Sequence, residues 1–173
     1  MKWLRASLVA QVILAAYFQV VQWLPLGRWN YQPGFTPFAV QVVDGRATGR
    51  DVLLLACFVL PVVVFWFAYS RRLRWLMWIG TLGYAIWLAL EIKTWWVAYA
   101  FGASDSWARV YERVFSQSTQ LLPAFGRHLP PDGLHLVLQG LLVAVVGCAI
   151  LGLMKTSGRA LARHRPGGAP RAS

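Results

Sequence analysis

Four long apolar stretches, with nearly every charge placed between or beyond them, limit what this chain can fold into. They run over residues 3–24, 52–69, 73–99 and 134–154. A helix needs about 20 residues to cross a hydrocarbon layer about 30 Å thick, and each stretch meets or approaches that length. Backbone polar groups in such a layer must be satisfied within the segment, which selects helices. The sequence therefore predicts an all-α membrane protein. One domain over residues 1–155 holds four transmembrane helices, and a basic disordered tail follows over 156–173.

The charges orient the chain. The side holding the N-terminus, the connection near Ser70 and the tail carries Lys2, Arg5, Arg71, Arg72, Arg74, Lys155, Arg159, Arg163, Arg165 and Arg171, with no carboxylate. The other side carries Arg28, Arg46, Arg50, Arg109, Arg113 and Arg127, offset by Asp44, Asp51, Asp105, Glu112 and Asp132. Flanking Lys and Arg hold short loops on the cytoplasmic side. Both termini are thus expected in the cytoplasm, and the membrane is expected to be a bacterial inner (plasma) membrane. The net charge of +11 suits anionic lipid headgroups at that face. No basic strip with interleaved aromatics appears, which argues against nucleic acid as a partner. A protein partner or a homo-oligomer stays open.

Tryptophans are expected to form two interfacial belts, with Trp3, Trp66, Trp75 and Trp78 on the inner side and Trp23, Trp29, Trp95, Trp96 and Trp107 on the outer. The first stretch has basic residues ahead of it like a signal peptide. It is long, contains Gln11, Gln19 and Gln22, and lacks a small-x-small cleavage site, so it reads as a retained span. The two cysteines supply no disulfide framework. Cys57 falls in the outer half of the second span and Cys148 in the inner half of the fourth, where each reads as a small packing residue.

The outer connections are longer than the inner one. Phe38, Ala39, Val40, Gln41, Val42 and Val43 precede Asp44 and Gly45, and β-branched residues before Asp-Gly predict a short strand or extended loop. Further on, Trp107, Val110, Tyr111, Val114, Phe115, Ser118, Leu121 and Leu122 recur at helical spacing opposite Arg109, Glu112, Arg113 and Gln117. That pattern predicts an amphipathic surface helix over 106–122, led by Ser104 and Asp105 and stopped by Pro123. Asp132 is the expected N-cap of the fourth span.

Inside the spans the polar residues fall on stripes. Gln11, Gln19 and Gln22 share one face of the first helix with Ser7. Amides facing lipid would leave polar groups unpaired, so this face should point inward. Tyr84, Trp87, Glu91, Thr94 and Trp95 form a second stripe, and His135 and Gln139 a short third one near the outer end. Gly140, Ala144, Gly147 and Leu151 offer mostly small residues for close helix contact. Pro61 removes a backbone hydrogen bond and predicts a kink in the second span.

Glu91 is the chemically informative residue. It lies about 24 Å along its helix from Trp75, close to the outer edge of the hydrocarbon. An ionisable group at that depth is either a satisfied structural carboxyl or a functional one. Lys93 falls on the face with Ile79, Ile86, Leu90 and Val97 and should snorkel outward. His128, Asp132 and His135 cluster in sequence, but paired Cys ligands and HExxH are missing and Pro130 and Pro131 intervene, so no metal or other cofactor is expected. Hydrolase and phosphate-loop motifs are absent.

Three function classes follow. The first is a non-enzymatic component that binds a lipid or protein partner through the outer cap and an intramembrane stripe made of Gln11, Gln19, Gln22, Tyr84, Trp87, Glu91, Thr94, His135 and Gln139. The second is a small proton-coupled carrier using Glu91. The third is an embedded enzyme acting on a lipidic substrate, with Glu91 and His135 as its catalytic residues.

Overall fold

The computed structural model describes residues 2–30, 38–46 and 48–163. The Cys57 side chain and residues 164–173, the greater part of the expected tail, lie outside the described residues. Among the described residues the protein is helical and has no strand. Helices α1 (Lys2–Trp23), α2 (Phe38–Val43), α3 (Gly49–Ser70) and α4 (Arg74–Glu91) come first. One π-turn, Ile92–Trp96, carries α4 on into α5 (Val97–Phe101). The short α6 (Asp105–Val114) and the long α7 (Gly133–Arg163) complete the chain. Among the described residues three helical runs are long and apolar enough to cross a membrane: Lys2–Trp23, Arg74–Phe101 and Gly133–Thr156. In α3, the stretch Phe58–Ser70 is a shorter apolar helix.

The long helices touch in a cycle: α1 on α7, α7 on α4, α4 on α3, and α3 back on α1. Neighbours run antiparallel, so the start of α1, the α3–α4 turn and the late part of α7 share one end, the basic end. The connections 24–48 and 102–132 share the other, the cap end. At the basic end Leu4, Phe65, Ala68, Met77, Ala149 and Leu153 form one buried cluster. Gly152 makes this possible, because a Cβ there would lie 2.7 Å from Leu4 Cγ and 2.9 Å from the Leu4 nitrogen. Further along, Leu14, Tyr84, Leu138, Leu142, Val145 and Val146 form a second cluster. Between them, Ser7 donates to the Val145 carbonyl at 3.0 Å and in turn accepts from Gln11 at 3.4 Å, both side chains fully buried.

The α3–α4 turn closes by helix-end chemistry. Leu73 N–H returns to the Ala68 carbonyl and Arg72 N–H to that of Tyr69, while Arg72 sits at a φ of 56°. This is the Schellman arrangement, with arginine where glycine is usual.

The same motif corrects the expected extended loop. Residues 38–43 are helical, not extended. Gly45, at φ 67°, donates to Val42 and Arg46 N–H donates to Gln41. The Asp-Gly pair thus ends a helix rather than turning a hairpin.

The surface helix is also shorter than the 106–122 expected from its apolar period, since α6 ends at Val114. Beyond it, Ser116 Oγ donates to the Glu112 carbonyl and Ser118 Oγ to that of Phe115, hydroxyl bonds that compete with helical ones. Thr119 N–H is then taken by Arg28 O, and Gln120 bridges to Asp132.

In α7 the small residues Gly140, Ala144 and Gly147 are exposed rather than packed on another helix; contact with α1 uses Leu142, Val145, Ala149 and Gly152 instead. The helix also continues past Thr156 to Arg163, so the first residues of the expected tail extend α7.

Candidate functional site

A cavity of about 470 Å³ opens at the cap end between α1, α4 and α7. Its polar wall is Gln22, Asn30, Glu91 and His135, and Phe18, Phe58 and Trp87 form its apolar floor. Three residues singled out from the sequence as site candidates, Gln22, Glu91 and His135, therefore meet here. Trp87, a fourth, lies in the floor.

Glu91 ends the regular part of α4, and the π-turn that follows explains its partners. An α-helix would place residues five apart roughly 140° away from each other. The wider turn brings Glu91 and Trp96 to one face, where both reach Gln139 of α7. Trp96 Nε1 donates to Gln139 Oε1 at 2.7 Å, and Gln139 Nε2 donates to Glu91 at 3.4 Å. The second of these is long, and Glu91 forms no ion pair among the described residues. π-turns recur at functional positions in helices.

His135 is held more firmly. Asp132, with its side chain 2% exposed, accepts from the His135 backbone N–H at 2.9 Å and from Nδ1 at 2.7 Å. The first bond is the expected N-cap of α7. The second places the Nδ1 proton toward the carboxylate and leaves Nε2 as the nitrogen available to a ligand. Trp95, 2% exposed, lies tilted against the imidazole at 4.4 Å between centroids, and Phe115 meets it edge-on at 5.6 Å. Trp107 and Tyr111 of α6 complete the aromatic cap on Trp95. Burial, reinforced by the Asp132 charge, pushes the Tyr111 phenol up to about 12, so it stays neutral. Trp95 and Trp107 are thus parts of an internal cap rather than belt anchors. Trp29 likewise packs on Gly133, where a Cβ would lie 2.9 Å from its ring.

Other expected stripe residues lie elsewhere. Gln11 is buried at the α1–α7 contact toward the basic end. Gln19 accepts from Trp23 one turn on. Thr94 is exposed, displaced from the stripe by the π-turn, and Lys93 is exposed beside it as expected. Tyr84 and Trp87 line a second cavity of about 450 Å³ between α1, α3 and α4, whose walls are almost wholly apolar. Pro61, Gly80 and Gly83 keep that cleft open: a Cβ on Gly83 would meet nothing within 4 Å. No group of three or more potential metal ligands occurs among the described residues.

Asn30 was not singled out from the sequence. Its Nδ2 donates to the Val21 and Leu24 carbonyls, both at 2.7 Å, and its Oδ1 accepts from Leu26 N–H at 2.9 Å. It closes the end of α1 and shapes one wall of the cavity. The signal was weak, an asparagine just beyond a helix end. The Phe18–Phe58–Trp87 cluster, with Phe18 and Phe58 stacked at 3.6 Å, joins three separate helices and has no local sequence mark.

No protein-family model, curated protein or solved structure matches this chain.

Proposed function

We propose that the protein is a four-span integral membrane protein that binds an amphipathic lipid. The polar end of the lipid lies at Glu91, His135 and Gln22, and its chain lies in the cleft between α1, α3 and α4. One observation carries this reading. A polar cavity and an apolar cavity meet at the same three rings, Phe18, Phe58 and Trp87. Ligand sites are commonly about 300–1,000 Å³, so either cavity is large enough to hold part of such a molecule.

The membrane setting is supported by outward-facing apolar side chains on all four long helices, including Ile13, Val63, Ile86 and Val143, each at least half exposed. Water-soluble surfaces rarely carry so continuous an apolar covering. At 22 residues, α3 has the length for the fourth crossing. The basic end then faces the cytoplasm by the positive-inside rule, and both termini lie there. In a background lacking Cys57 and Cys148, a cysteine at Ser70 should resist an impermeant maleimide in intact cells, while one at Ala124 should react. Labelling at Ser70 but not Ala124 would reverse the orientation, and equal labelling of both would end the four-span reading.

Binding is tested by filling the cleft. Gly83→Leu has room in the apolar cavity and improves helix propensity, so it should fold at least as well as the parent. Native mass spectrometry should find a lipid retained by the parent protein and about tenfold less retention in the variant. Equal retention would place bound lipid outside this cleft.

A second reading, acid–base chemistry on the bound lipid, is favoured by the Asp132–His135 pair beside Glu91. It requires turnover of a lipid by the purified protein, and Asp132→Asn should abolish that turnover while leaving lipid retention intact.

A further inference from the structure

From the charge of the polar cavity we infer that the ligand's headgroup is a cation of the ammonium type. This inference rests on the lipid-binding reading and adds the chemical class of the ligand. Among the described residues, Glu91 is the one carboxylate in the cavity wall, and no Lys or Arg lines either cavity. Its only protein hydrogen bond among the described residues is the 3.4 Å contact from Gln139. An ionised group at such depth is costly unless it is paired. Among the described residues none forms an ion pair with Glu91, which leaves its carboxyl oxygens open to a cationic ligand in the cavity.

The remaining surroundings favour an ammonium over another polar head. Trp87, one helical turn before Glu91, and Phe18 and Phe58 present ring systems to the same cavity, with centroids 3.6 to 6.4 Å apart. Aromatic faces attract ammonium groups, and clustered rings are a recurring means of binding them. An anionic head meets the opposite balance. It would be placed against Glu91, and among the described residues no guanidinium lines the cavity to offset that repulsion. A neutral alcohol could use Gln22 and His135 but would leave the Glu91 charge unmatched.

Protein in nanodiscs of an uncharged galactolipid, which offers no ammonium of its own, is titrated with three radiolabelled amphiphiles of equal chain length: hexadecyltrimethylammonium, hexadecanol and hexadecyl phosphate. Empty nanodiscs serve as the blank. The ammonium probe should bind at least about tenfold more tightly than the alcohol, and the phosphate most weakly. Glu91→Gln should bring the ammonium affinity down to that of the alcohol while leaving the alcohol unchanged and the melting temperature close to the parent's. Equal affinity for ammonium and alcohol in the parent, or a preference that survives Glu91→Gln, overturns the headgroup assignment and leaves the lipid reading standing. Blank-level binding of all three probes overturns both.

Discussion

Replacing Asp132 with alanine should destabilise the protein by about 1.5–5 kcal/mol. The loss of an N-cap accounts for about 0.5–2 kcal/mol. Stranding the buried donors that Asp132 satisfies adds about 1–3 kcal/mol. Asp132 is 1% exposed and sits where two segments meet: its side chain caps α7 and holds His135, while its backbone bridges to Gln120 of the segment after α6. Asp132→Asn keeps an acceptor oxygen in place and should cost under half as much. Both variants are compared by thermal and denaturant unfolding in one detergent. If alanine lies within about 0.5 kcal/mol of the parent, within the ordinary scatter for surface substitutions, Asp132 is not a keystone of the cap. The ligand readout separates the two changes further. Alanine removes the partner that orients His135 and should weaken lipid retention, whereas asparagine should preserve it.

Asp132 also shows which features the sequence made legible. Its capping role follows from a short-range rule, a side-chain oxygen placed before the first turn. Glu91 and His135 were legible for a similar reason: polar groups in apolar helices have to face inward, and two inward faces near the same end come together. The long helices were visible in hydropathy alone.

The features that escaped depend on backbone departures or on helix pairing. Thr94 falls on the Glu91 stripe only if the helix keeps its regular pitch, and the π-turn over Ile92–Trp96 breaks that assumption. Residues 38–43 read as extended because Val and Phe favour strands, yet the αL glycine at 45 ends a helix as readily as it turns a hairpin. The apolar period after Val114 continued in the sequence while Ser116 and Ser118 spent their hydroxyls on local carbonyls. Gln11 and Gln22 share a face of α1, but they are eleven residues apart, about 16 Å along the helix, and so reach different neighbours.

The glycines of α7 carry the second large effect, because one sequence pattern conceals two opposite environments. A Cβ on Gly152 would meet Leu4 Cδ2 and Cγ at 2.7 Å and the Leu4 nitrogen at 2.9 Å. Two of these atoms belong to a side chain that is itself 2% exposed, and the third is backbone. Relief thus requires α1 and α7 to separate along the most extensive helix contact in the protein. Overpacking of this kind costs about 1–3 kcal/mol for a methyl group. Gly152→Ala should fall at the upper end of that range, and Gly152→Val beyond it. Gly140 and Gly147 lie on the same helix, and a Cβ at either would meet nothing within 4 Å. Alanine there gains helix propensity of up to about 1 kcal/mol with no steric cost, so those variants should unfold at or above the parent's midpoint. Leu4→Ala combined with Gly152→Ala tests the cause. Leu4→Ala alone should cost about 2–5 kcal/mol as a cavity, and the double variant should be less unstable than the sum of the two singles, because the new methyl enters the space the leucine left. Strict additivity would show that the backbone contact alone sets the cost. Loss of stability at Gly140 or Gly147 would mean that the exposed face of α7 is covered by a second molecule.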